Sequence, residues 1–476
     1  MTQTVRCHLK DCFRVLACVV LALSLFGAPR ALAGNKVKLH GYITGRQDER
    51  TLLILDDRLE TTPASKVQAR DASGAEHPFE FADIAVGALI EAEGQWLDRH
   101  KFFAEKITVD LREDEKTLHG SAYLQEDPED ATQIEKGEGG EVQADGYWLD
   151  LSATTKREWM PGKVAPTATE KSSERLDDKP SVGADLAGYR VKYVGVRRQD
   201  GRVDTSQIEL GPRAPADAYK LPHDLSIMPA NDAQTGIPVL EFRQGKKVVA
   251  RMKLLSERSV QEYVAHLGDS LLPPAAQRTS WPIEFRFFVV EDPEINAASL
   301  ADGTTLVNTG LLGAVQNESQ LAFVMSHEIA HVLQVHYKRE VDETRGARVG
   351  LTIAGIAAGA FIGNAGMFLA EVGIASVVNG HERLLENQAD RLGLQNVIER
   401  GYDPREAPKF SRMVIDRYGD RSTSKIWSDH ENSLYRGSFL TIQLGRVYPD
   451  KDWSAAKKNT KAFETMKDDL GPVKIM

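Results

Sequence analysis

The segment His327-Glu328-Ile329-Ala330-His331 constrains this chain more than any other, because its residues can act together only on a helix. Four residues advance about 400° around an α-helix, which leaves the two imidazoles about 40° apart on one face and able to share a metal ion. Glu328, one position on, flanks the same point, where a carboxylate could take a proton from a zinc-bound water. The neighbouring residues indicate the helix independently: Leu321, Val324, Met325, Ile329, Val332 and Leu333 keep helical spacing within Glu318 to Tyr337.

A second signal comes 55 residues after His331, in Glu386-Asn387-Gln388-Ala389-Asp390. Glu386 and Asp390 are again four apart and share a helix face. Alone, such a pair reads as a solvated acidic surface; downstream of two spaced histidines, it reads as metal chemistry. A carboxylate ligand from a separate helix leaves the fourth zinc position for water, the open geometry of a catalytic site. Asp390 suits the layer behind, accepting a hydrogen bond from the free nitrogen of a ligating histidine and fixing its tautomer. His336 and His381, by helical arithmetic from His327 and Glu386, are expected to face away and to serve packing or surface roles.

Cysteine usage narrows the ligand types. Cys7, Cys12 and Cys18 all lie within residues 1–33, which read as a signal peptide: Arg6, Lys10 and Arg14 precede an apolar run from Val15 to Ala28, and Ala31-Leu32-Ala33 is a small-x-small cleavage site. Removal of 1–33 leaves no cysteine, so any metal must be held by histidine and carboxylate. It also moves the formal charge from −10 to about −13, since four basic residues and one acidic residue are lost. That balance excludes nucleic acid as the main partner. A secreted, cysteine-free chain fits the periplasm of a bacterial envelope.

At 476 residues the chain exceeds one ordinary core, and its texture changes along its length. Residues 34–112 and 113–212 each read as a small all-β module, an OB-like barrel, related by a weak repeat. Leu39-His40-Gly41 matches Leu118-His119-Gly120, and GALIEAEG (87–94) matches the spacing of GYRVKYVG (188–195). The second module carries an insertion at 154–181, poor in apolar residues and expected to be a loop. Residues 213–236 have linker composition. From 237 to 476 the pattern is an α-rich α+β domain: a helix over Ser256–Leu272, strands at Phe285–Val290 and Thr304–Asn308, then the zinc helix. Gly350 to Asn379 is apolar and interrupted by Gly363, Asn364 and Gly366. It reads as a helical hairpin beside the active site with possible peripheral membrane contact, and a span is the alternative on length.

From Glu257 to Val447 the chain resembles the M48 peptidases, zinc metallopeptidases that include the CAAX prenyl proteases and bacterial envelope proteases. Beyond the two metal segments, the resemblance includes Ile295-Asn296-Ala297, GTTLVNTGLL (303–312), Gly401-Tyr402-Asp403-Pro404 and a late Trp427-Ser428-Asp429-His430 followed by Arg436. Glu431 departs from the proline usual in that last segment. The resemblance implies a zincin-like metallopeptidase domain with one zinc held by His327, His331 and Glu386. Glu328 would be the general base, and the Asn296–Ala297 strand would pair with extended substrate. His430 would stabilise the oxyanion with Arg436 orienting it or binding substrate, or would block the vacant zinc position until a loop moves. The implied activity is that of a zinc metalloendopeptidase acting on unfolded or misassembled envelope proteins in quality control. The competing reading is an envelope binding or chaperone-like protein with a latent or structural zinc site; a metal hydrolase of non-peptide substrates is a third.

Overall fold

The computed structural model describes residues 36–114, 117–125, 139–160, 188–277, 283–343, 360–361, 382–418 and 433–475. The leader, His381, His430 and the apolar segment 350–379, apart from a short strand at Ala360–Phe361, lie outside the described residues. Among those described the chain is α+β, with four sheets and eight helices.

The first sheet is built from short strands of alternating burial. Val37–Tyr42 pairs antiparallel with Leu89–Asp98, which pairs antiparallel with Lys101–Asp110. The far edge of Lys101–Asp110 runs parallel to Asp57–Glu60 and Lys66–Arg70. Thr51–Ile54 then joins Asp57–Glu60 to Gly45–Arg46. Leu39, Leu52, Leu59, Ile90, Phe102 and Ile107 fill its core.

The second sheet repeats the order with Thr117–Tyr123, Gly140–Ala144, Tyr147–Trp159, Tyr189–Arg197 and Val203–Arg213. First pairs with fourth, fourth with fifth, fifth runs parallel to third, and third pairs with second. The repeated sequence segments fall on matching strands, and in both the register shifts just before the closing glycine, Gly94 or Gly195. Two readings need correction here. Thr154–Trp159 is strand rather than loop, with Lys156 to Trp159 paired to Gln207 to Leu210; residues 161–187 lie outside the described residues. Residues 213–236 are not an open linker either. Ala218 and Tyr219 are buried in the main core, and Leu225–Asn231 pairs antiparallel with Pro238–Gln244. The alternation of buried Leu225 and Ile227 with exposed Ser226 and Met228 is the strand signal that the Pro and Asp content masks.

The third region places helix α1 (Arg258–Leu271) against a small sheet in which Arg286–Val290 runs parallel to Thr304–Asn308, and Ala297–Ser299 forms the other edge. A short helix α2 (Thr309–Ala314) leads into α3 (Glu318–Leu333). Every residue of α3 except His331 is buried, as its apolar composition on all faces requires. Asn317 caps it, accepting from the Gln320 N–H at 3.0 Å while donating to Glu406 at 2.8 Å.

The helix ends earlier than its periodicity predicts. Val335 takes a left-handed backbone conformation (φ 48°), and α4 (His336–Glu343) starts in a new direction. The helices α5 (Glu382–Glu399), α6 (Glu406–Tyr418), α7 (Ser433–Val447) and α8 (Lys461–Leu470) complete the domain. No helix among the described residues is long and apolar enough to cross a membrane.

Both β modules dock on this domain through buried polar contacts. In the first, Asp57 pairs with Arg412 at 2.9 Å, and the Tyr42 N–H donates to the Ser438 hydroxyl at 2.9 Å. In the second, the Gln334 side chain at the end of α3 acts as a strand partner to Tyr123. Its Oε1 accepts from the Tyr123 N–H at 2.7 Å, and its Nε2 donates to the Tyr123 carbonyl at 2.9 Å. Substitution Gln334→Ala leaves both backbone groups without this partner. Its expected cost is about 1–3 kcal/mol, read as a lower urea midpoint with an unchanged slope.

Candidate metal centre

α3 and α5 meet where α3 carries its two metal-spaced histidines. A Cβ at Gly393 would stand 3.1 Å from the His327 backbone nitrogen, so a glycine there lets the helices approach closely enough to bring Glu386 to the imidazoles. The candidate donor atoms of His327, His331 and Glu386 all lie within 4.8 Å of one another. His327 Nε2 is 3.0 Å from His331 Nε2 and 3.4 Å from Glu386 Oε2, and His331 Nε2 is 3.3 Å from Glu386 Oε1. Two imidazoles and a carboxylate in this cluster match the donor chemistry of a three-ligand zinc site.

Behind the cluster, His327 Nδ1 lies 3.0 Å from Asp390 Oδ1, leaving Nε2 turned to the other donors. Asp390 receives Arg436 through two contacts, at 3.1 and 2.5 Å, and Arg436 Nη1 stands 3.8 Å from Glu386. Glu328, Glu386, Asp390 and Arg436 are all buried. Three carboxylates and one guanidinium thus lie together out of water, a setting that suits a divalent cation.

Titration follows the same balance. Burial pushes the Asp390 carboxyl up, but Arg436 and His327 outweigh it, so its pKa lies below the usual value. Burial and Arg436 pull His327 down, while hydrogen bonds to Asp390 and Glu386 carry it above the ordinary imidazole value. His331 is lowered, chiefly by burial.

Glu328 lies beside the cluster with Oε2 accepting the Ser299 backbone N–H at 2.8 Å. Ser299 belongs to the edge strand Ala297–Ser299, whose other side is hydrogen-bonded to Thr304–Asn308. The strand edge that meets Glu328 carries no further strand among the described residues.

The structure brings His327, Glu328, His331, Glu386, Asp390 and Arg436 together. Arg436 is buried against Asp390 and His327, and His430, which it was expected to orient if it did not bind substrate itself, lies outside the described residues. His336 departs from expectation. Because the helix breaks at Val335, His336 turns back, is buried, and puts Nδ1 2.9 Å from His331 Nδ1. Burial holds its pKa well below the ordinary value. Its Nε2 meets Gln388 Oε1 at 3.0 Å. Gln388 and Ser299 are contacts that sequence reasoning missed; Gln388 sits inside the acidic segment, but its partners are far away in sequence.

Residues 257–451 match the model of peptidase family M48. These residues belong to that family. The matched stretch contains both metal-spaced segments, 327–331 and 386–390. Across 172 residues it is 31% identical to a putative beta-barrel assembly-enhancing protease of Vibrio cholerae, covering 35% of each chain. Across 195 residues it is 30% identical to the beta-barrel assembly-enhancing protease of Escherichia coli, covering 38% of this chain and 39% of the relative. It is 30% identical over 180 residues to the mitochondrial metalloendopeptidase OMA1 of Bos taurus, covering 37% of this chain and 33% of that one. The matched part thus spans little more than a third of these relatives, and both β modules precede it.

The buried Arg436–Asp390 pair yields a test. Arg436→Met removes the guanidinium from a site holding three carboxylates, with an expected loss of about 3–5 kcal/mol of metal-free stability, measured by urea unfolding in the presence of chelator.

Proposed function

We propose that this protein is a zinc-dependent endopeptidase of the bacterial cell envelope, one zinc per chain, that cleaves unfolded or misassembled envelope proteins in quality control. The observation that carries the reading is the convergence of His327, His331 and Glu386 beside Glu328 at the rim of an edge strand. Zinc held by those three residues would polarise a scissile carbonyl and make a water acidic enough to lose a proton near neutral pH. Glu328 receives that proton and passes it to the leaving amine.

The remaining roles follow from position. Ala297–Ser299 takes an extended substrate segment as an added strand, so backbone pairing gives affinity with little dependence on sequence. Engaging substrate there requires Glu328 and the Ser299 N–H to exchange partners. Asp390 orients His327, and Arg436 holds Asp390. His430 is assigned to oxyanion stabilisation or to latency, according to whether it approaches substrate or the vacant metal position. The two N-terminal modules, 34–112 and 113–212, are read as OB-like barrels, and their shared strand order supports the repeat between them. The leader at 1–33 supports delivery to the periplasm, and 350–379 supports peripheral membrane contact. The names of the bacterial relatives, which assign them to β-barrel assembly, support protein substrates.

Glu328→Gln keeps the shape of the side chain and removes the base. The expected result on an unfolded protein such as reduced casein is cleavage slowed about 10²–10⁴-fold, with zinc content equal to wild type. Equal zinc with cleavage by neither protein contradicts the peptidase reading and favours the binding protein.

A further inference from the structure

The second β module reaches the layer behind the metal centre through a hairpin tip and the strand Thr117–Tyr123. Gly140–Ala144 and Tyr147–Trp159 are joined by Asp145-Gly146, both with positive φ (58° and 76°), the two-residue turn that Asp-Gly favours. The turn is seated on α5: a Cβ at Gly146 would stand 2.6 Å from Arg391 Cβ. Asp145 is buried there, accepting from Arg391 Nη2 at 2.5 Å and from the Tyr193 hydroxyl at 3.0 Å.

The Asp145 carboxylate also accepts from Gln388 Nε2 at 2.7 Å, and the same nitrogen donates to the Ser121 carbonyl at 3.0 Å. A carboxylate and a carbonyl can only accept, so the Gln388 amide has one allowed orientation. Its Oε1 must face the other way, where it accepts from Arg339 at 2.7 Å and meets His336 Nε2 at 3.0 Å. His336 Nε2 then carries the hydrogen, and a neutral His336 has a lone pair at Nδ1. That lone pair faces His331 Nδ1 at 2.9 Å, which must bear the proton between them. His331 Nε2 is left with its lone pair directed at Glu386 and His327.

We propose that the second β module is a positioning part of the metal centre: the hydrogen-bond polarity running from Asp145 through Gln388 and His336 fixes His331 in its Nδ1–H tautomer with Nε2 ready to bind the metal. This inference rests on His331 being a metal ligand. His327 is held by a charged pair within the peptidase domain, whereas His331 is held through a relay that ends outside it. Removing the module's carboxylate therefore weakens a metal site that the carboxylate never touches. Partners of this kind tune metal affinity by about 10–100-fold.

The test uses the full chain, with zinc affinity measured by chelator competition and folding by circular dichroism and urea unfolding. Asp145→Ala, Gln388→Met and His336→Ala are each expected to weaken zinc binding about 10–100-fold. His336→Asn, whose Oδ1 stands near the position of the lost Nδ1 acceptor, restores much of the affinity lost in His336→Ala. A packing role alone would not separate those two variants. If Asp145→Ala fails to fold, the volume-conserving Gln388→Met decides. Wild type that takes up no zinc overturns the parent reading; wild type that binds zinc with folded Gln388→Met binding it equally well overturns the relay alone.

Discussion

The approach of two buried helices sets the terms for the rest of this molecule. α3 contributes two imidazoles and a carboxylate, α5 contributes two more carboxylates, and Gly393 against the His327 backbone lets them share one small volume. Charges taken out of water must be compensated where they lie. Arg436, delivered by α7, compensates part of the load, and a divalent cation would compensate more. A metal bound there would serve the electrostatics of the fold as much as the chemistry.

Both β modules press on the layer directly behind that centre. From the first, His40 stacks on Tyr435 with ring centroids 5.1 Å apart, and Tyr42 packs on the same ring. Tyr435 precedes Arg436 in α7 and accepts a hydrogen bond from Asn387 of α5. From the second come the Gln334–Tyr123 clasp and the Asp145 turn. Arg436 and His331 thus each have a module behind them. A disturbance of either module has a short physical route to the ligands, through packed rings on one side and a polar relay on the other.

What could be read from the sequence was whatever rests on local period. The spacing within 327–331 and 386–390, the helix over Arg258–Leu271, the strand Thr304–Asn308 and the repeated module strands all follow from residues near one another in the chain. The misreadings share a cause. His336 was assigned to the wrong side because periodicity cannot announce that a β-branched valine will break the helix in a left-handed conformation, a choice paid for by tertiary contacts. Arg436 and Gln388 find their partners across 46 and 243 residues of sequence, beyond any spacing rule. The seat of the Asp145-Gly146 turn on α5 likewise joins residues remote in sequence.

We propose above that His327, His331 and Glu386 together hold one zinc. Diffraction from zinc-loaded crystals on either side of the zinc absorption edge tests it most directly. Zinc held by all three residues gives a single strong anomalous peak per chain at about 2.0–2.2 Å from both Nε2 atoms and a Glu386 oxygen. A peak elsewhere, or one at this site that persists undiminished in His327→Ala/His331→Ala crystals, would contradict it.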